Sequence, residues 1–213
     1  MGKLIVRTVN TLPGSQLELA VLAAGRRSSV AVDLATNAVV RVHHPRQREV
    51  DPFSVVRVRV AEPTIERPEQ PESIDADRPL RAIGRLVGMR CERLLRSIGG
   101  EADHATLGIP GPGVALWQLD GKRPSVEVVR IPHDAQISVD ERGVRCRFGW
   151  DHGTEDLPIE DSRLLRQLDW LPSGRLSLRA CAPALGFRPS RMTVALGRPR
   201  NGYCYKVIAA LLP

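Results

Sequence analysis

The sequence predicts a mostly β protein with minor α, an α+β chain in two parts. A small SH3/OB-like β-barrel comes first and a β-rich α+β portion follows. Three observations predict this. Short segments alternate apolar and polar residues and favour valine. Turn-forming residues separate those segments at close intervals. Only two stretches show the three-and-four spacing of an amphipathic helix.

The first sixty residues read as strands. "KLIVRTV" and "QLELAVL" are two candidates. "SVAVDLATNAVVRVHH" gives two more, broken at Ala35-Thr36-Asn37, with Arg41 and His43 facing away from Val40 and Val42. "SVVRVRVAE" alternates most cleanly: Val56, Val58 and Val60 share one face, Arg57 and Arg59 the other. Five short strands joined by tight turns must curl to bury one face, hence the barrel over 1–60. "AEPTIERPEQPESIDADRP" then brings four prolines and six acids. Such a segment cannot bury apolar surface, so 61–79 reads as an acidic linker or strap and 80–213 as the second domain.

In "RPLRAIGRLVGMRCERLLRSIGG", Leu80, Ile83, Val87, Cys91, Leu94, Leu95 and Ile98 recur at helical spacing. Gly84 and Gly88 each cost a helix roughly 1 kcal/mol. They leave open a strand at 81–87 with a shorter helix after it. "GIPGPGVALWQLDGKRPSVEVVRIP" reads as a loop and then a hairpin turning at Asp120-Gly121. "AQISVDERGVRCRFGW" is a second hairpin, with Arg145 and Arg147 opposite Val144, Cys146 and Phe148. "EDSRLLRQLDWL" is a short helix capped by Asp161 or Ser162. "RMTVALGRPRNGYCYKVIAALL" is the last hairpin. Asn201-Gly202 suits a type I′ turn, which needs positive φ at both positions. That register sets Arg200 across from Tyr203. It puts Tyr203, Tyr205 and Val207 on one face and Cys204, Lys206 and Ile208 on the other, with a short helix after Lys206 as the alternative to a strand.

No apolar run reaches the roughly 18 residues that span a bilayer, so no membrane partner is expected. "MGKLIVRTVN" lacks the apolar middle of a signal peptide, and Val6 breaks the myristoylation pattern. A cytoplasmic location is expected. Three of the 31 basic residues are lysines and the rest arginines, the mark of a GC-rich, bacterial-type genome. Cys91, Cys146, Cys181 and Cys204 have no metal-ligand spacing and read as small core residues.

Motifs for catalysis or a cofactor fall short. Gly108, Gly111 and Gly113 miss the dinucleotide spacing, and Arg123 follows Lys122 where a phosphate loop needs Ser or Thr. His43 and His44 are strand neighbours pointing to opposite faces. His133-Asp134 and Asp151-His152 have no nucleophile signature beside them. A non-catalytic binding protein without cofactor or metal is expected, although an enzyme is not excluded.

Charge carries the rest. The net charge is +7, yet residues 61–79 sum to −4 and residues 172–213 hold seven cations and no acid. Lysine and arginine that neutralise phosphates supply most non-specific nucleic-acid affinity, and aromatics add base stacking. The expected polyanion-binding residues are Arg57, Arg59, Arg145, Arg147, Arg198, Arg200, Tyr203, Tyr205 and Lys206. They would read phosphates rather than bases, on nucleic acid or another polyanion. The alternative is an adaptor or structural subunit of a bacterial protein complex, with a protein partner and no nucleic-acid contact.

Overall fold

A computed structural model describes residues 12–45, 50–62, 67–101, 104–141, 143–166 and 174–213. The strand expected at "KLIVRTV" and the later part of the helix expected after Asp161 lie outside these. The described residues are mostly β-sheet. The chain divides into two compact units: Met1–Ile98 with Asp120–Val126, and Gly99–Leu119 with Glu127–Pro213.

The first unit holds β1 (Gln16–Ala24), β2 (Ser28–Asp33), β3 (Val39–His43), β4 (Ser54–Arg59), β5 (Ser73–Asp75), β6 (Ala82–Arg85) and α1 (Met89–Ile98). They form a six-stranded sheet in the order β5-β3-β2-β1-β4-β6. β1, β2 and β3 are an antiparallel meander, and β5 runs parallel to β3. An antiparallel bridge between Val60 and Ala76 then joins the ends of β4 and β5, so five of the strands curl round on themselves. Leu19, Val21, Val40, Val42, Val56, Val58 and Ile74 fill the inside. Full burial of each is worth about 1.5–3 kcal/mol.

Three expectations need correcting in this unit. The boundaries at 60 and 80 do not stand, because β5 and β6 lie in the sheet and the unit runs on to Ile98. The long helix over 80–98 is instead a strand at Ala82–Arg85 and a helix from Met89. Gly88 sits between them at φ +54, which a helix does not accept. Arg41 and His43 do not face solvent. Both are buried, and residues 67–79 of the acidic segment are tied down rather than loose. His43 Nε2 donates to Gln70 Oε1 at 2.8 Å, Arg67 forks onto Asp75 at 2.9 and 3.0 Å, and Ser125 donates to Glu72 from its hydroxyl and, at 3.0 Å, its backbone amide. Arg41 Nη2 reaches the Ser125 carbonyl at 3.2 Å.

The second unit holds β7 (Gly99–Gly100), β8 (Gly113–Ala115), β9 (Val126–Arg130), β10 (Gln136–Asp140), β11 (Gly143–Trp150), β12 (Gly153–Pro158), α2 (Ser162–Leu165), β13 (Gly174–Ser177), α3 (Ala182–Leu185), β14 (Arg191–Leu196) and β15 (Tyr203–Leu212). One sheet runs β12-β11-β10-β13, the other β7-β9-β14-β15-β8. A parallel bridge between Ile159 and Ile208 links the end of β12 to β15. The core gathers Leu107, Ile137, Cys146, Phe148, Leu157, Met192 and Ile208. Asp161 caps α2, its carboxylate accepting from the Arg163 amide at 3.0 Å.

The hairpin expected to turn at Asp120-Gly121 is absent. β8 pairs with β15 instead, and residues 120–126 belong to the first unit, where Glu72 holds Ser125. The hairpins β10–β11 and β14–β15 stand where the sequence set them, and β15 stays extended past Lys206 to Leu212. All four cysteines are buried with free thiols.

Candidate functional site

The β14–β15 hairpin builds the most distinctive surface. Asn201 and Gly202 have φ of 51° and 78°, the two positive values of a type I′ turn. Arg200 and Tyr203 exchange backbone hydrogen bonds of 2.8 and 3.0 Å across it. Alternation beyond the turn sends Tyr203 and Tyr205 outward and Cys204 and Lys206 inward.

β8 then comes in along the edge of β15, pairing Ala115, Val114 and Gly113 with Tyr203, Cys204 and Tyr205. Gly113 is what admits it: a Cβ there would lie 2.7 Å from the Cys204 carbonyl oxygen. The Leu116 amide donates to Gly202 O at 2.8 Å, and the next residue is Trp117. Its ring meets Tyr203 edge-on at 5.7 Å, and Tyr203 lies 6.3 Å from Tyr205 at an interplanar angle of 30°. These are favourable aromatic distances. Yet Trp117 is 73% exposed, Tyr203 42% and Tyr205 46%. Three rings thus form an open row, fixed by sheet pairing beneath. Arg198 and Arg200 are exposed in the adjoining loop, and neither has a carboxylate partner among the described residues.

Lys206 requires a correction, because it is fully buried and offers nothing to a ligand. Its ammonium donates to Glu155 Oε1 and Ile109 O, both at 2.8 Å, and to Thr106 Oγ1 at 3.1 Å. Glu155 also accepts from the Thr106 amide at 2.9 Å and the Thr106 hydroxyl at 2.6 Å. Glu127 accepts from the Leu107 amide at 2.6 Å. Burial pushes the Lys206 pKa down, opposed by Glu155, and pushes the Glu127 pKa up. These charges satisfy the backbone of a loop that has no sheet partner, and that loop leads into β8 four residues after Ile109.

The remaining expected residues belong to other strands. Arg145 is engaged by Asp156, its Nε donating to Oδ1 at 3.0 Å. Arg147 is exposed on the same sheet face and opens, with Arg175, onto a shallow hollow lined by Gln136, Ser138, Asp140 and Asp156. Arg57 and Arg59 belong to the first unit. Arg57 reaches Glu18 at 2.6 Å, a half-exposed pair of little energetic weight. Arg59 is exposed opposite Gln16.

Sequence reasoning does not reach Trp117, because the local hairpin expected at Asp120-Gly121 competes for β8's edge. It also missed Glu155. The signal for Glu155 was present, since period two places it on the same inward face as Leu157.

No family model matches the chain, and no curated protein does. Among solved structures it is similar to the crystal structure of the tetrameric p202 HIN2, at 7% identity and a TM-score of 0.30, covering 94% of each chain. So slight a likeness leaves the fold to be read from strand pairing.

Proposed function

We propose that both units are five-stranded OB-type barrels, and that the chain is a non-catalytic protein that binds single-stranded nucleic acid on the hairpin of the second. The observation that carries the reading is the open row of Trp117, Tyr203 and Tyr205 beside the exposed Arg198 and Arg200. Single strands offer bases to stack on such rings and phosphates to such cations, and a stacked base is worth about 1–3 kcal/mol.

The barrel assignment rests on order. In the first unit a three-strand meander is followed by two strands that insert as 1-2-3-5-4, with the third and fifth parallel and the fourth beside the first. The second unit repeats the order if β9 and β10 are one long bent strand. β10 then pairs with β11, β11 with β12, the Ile159–Ile208 bridge is the parallel contact, and β9 neighbours β14. The loop between fourth and fifth strands is a recurrent oligonucleotide contact of such barrels. In the second unit that loop is Gly197–Gly202. An SH3-type assignment has no counterpart to the parallel pair. Among the described residues no helix is long and apolar enough to cross a membrane. We assign the protein to the cytoplasm, where its free thiols would stay reduced.

The test is fluorescence anisotropy with a labelled oligothymidylate over a salt series. Trp117→Ala and Tyr203→Ala should each weaken binding about 5- to 150-fold. Arg198→Ala with Arg200→Ala should lower the salt slope by about 1.4, near 0.7 for each phosphate that is no longer neutralised. An affinity that none of these changes moves would remove the hairpin from the interface.

A further inference from the structure

We propose that the first unit carries a separate docking surface for an acidic, aliphatic segment of a protein partner, centred on β6 and the start of α1. Ile83, Val87 and Met89 are 52%, 67% and 70% exposed within seven residues of chain. Arg81, Arg85, Arg90 and Arg93 are exposed among and beside them. None of the four has an acidic partner among the described residues, and the one acid of the stretch, Glu92, is engaged by Arg96 at 3.3 Å.

β6 is the edge of its sheet, and its pairing with β4 shifts register between Ala82 and Gly84. Edge strands are commonly guarded against unwanted pairing by such bulges and by charge. Guarding accounts for the bulge and the arginines. It does not account for three aliphatic side chains left in water between them, which is the pattern of an interface core within a charged rim. Charge complementarity then selects the occupant: carboxylates for the arginines, aliphatic side chains for Ile83, Val87 and Met89. A nucleic-acid strand would meet the arginines only. It stacks on rings, and this surface has none.

The probe is a fluorescein-labelled 12-residue peptide alternating Asp or Glu with Val or Leu, added to the full chain. The expected result is saturable binding that weakens about tenfold or more in both Arg81→Glu with Arg85→Glu and Ile83→Ser with Met89→Ser. Because all four side chains are exposed, the melting temperature should hold within a few degrees. In the unsubstituted protein, amide shifts on titration should cluster at residues 81–93, a readout that needs no variant. Absence of binding, shifts centred elsewhere, or indifference to either double substitution would overturn the proposal. So would an oligothymidylate that displaces the peptide and responds to the arginine change alone, since that would make the surface a phosphate contact.

Discussion

Lys206 shows how one position reverses its meaning once its neighbours are known. It counts as a surface cation in the sequence and is a core residue in the fold. Removing one partner of a buried pair strands the other's charge, at a cost of about 3–5 kcal/mol, whereas replacing both with apolar groups is often neutral. Lys206→Met should therefore destabilise the protein by that order, and Lys206→Met with Glu155→Leu should recover much of the loss, as read from urea denaturation. His43 carries a different prediction. Burial first, then the Arg67 and Arg41 cations, push its pKa from 6.5 down to about 4. The unfolded chain therefore takes up this proton near pH 6.5 and the folded chain only near pH 4. Stability is full above 6.5 and falls through that window as pH drops, by about 3 kcal/mol in total at about 1.4 kcal/mol per unit. His43→Gln should flatten this acid limb in urea midpoints measured from pH 7 to pH 4.

Among the elements, those whose partners are close in sequence were legible and the others were not. The β14–β15 hairpin, its turn and the outward tyrosines follow from Asn201-Gly202 and period two, whereas the strands beyond pair one residue out of the register that turn sets, with Leu196 opposite Lys206. Gly202→Val should cost about 1–3 kcal/mol, because a β-branched residue resists a φ of 78°. It should also disturb Trp117, whose ring lies 3.5 Å from where the new Cβ would stand, and tryptophan emission would register that. The 80–98 stretch was ambiguous for a physical reason: apolar spacing fits a helix throughout, and only the positive φ of Gly88 ends it. β8 reads as half of a local hairpin because its partner β15 lies some ninety residues onward, and three residues carry too little pattern to choose a distant edge over a near one. The candidate site was thus half readable, its tyrosines and arginines from local alternation, its tryptophan only from long-range pairing.

At the scale of the whole molecule, alternation and turn spacing predict a β-rich chain, but the proline-rich acidic segment suggests a division that the packing places elsewhere. Prolines and acids signal a poor core former, yet here Glu72, Gln70 and Asp75 find buried or half-buried partners that no local pattern announces. Ser125→Ala removes the hydroxyl between Glu72 and Arg41 and should destabilise the chain by about 1–3 kcal/mol in chemical denaturation, the usual cost of leaving such groups unsatisfied. The chain leaves the first unit after Ile98 and returns to it at Asp120–Val126 before leaving again. During synthesis, then, the first unit lacks its final piece until residue 126 is made, 28 residues after Ile98. At roughly 5–20 residues per second that is a delay of about 1.5–6 s, during which Arg41 and Glu72 wait without Ser125. A ribosome paused within this interval would display the first sheet with Arg41 and Glu72 still lacking their shared partner.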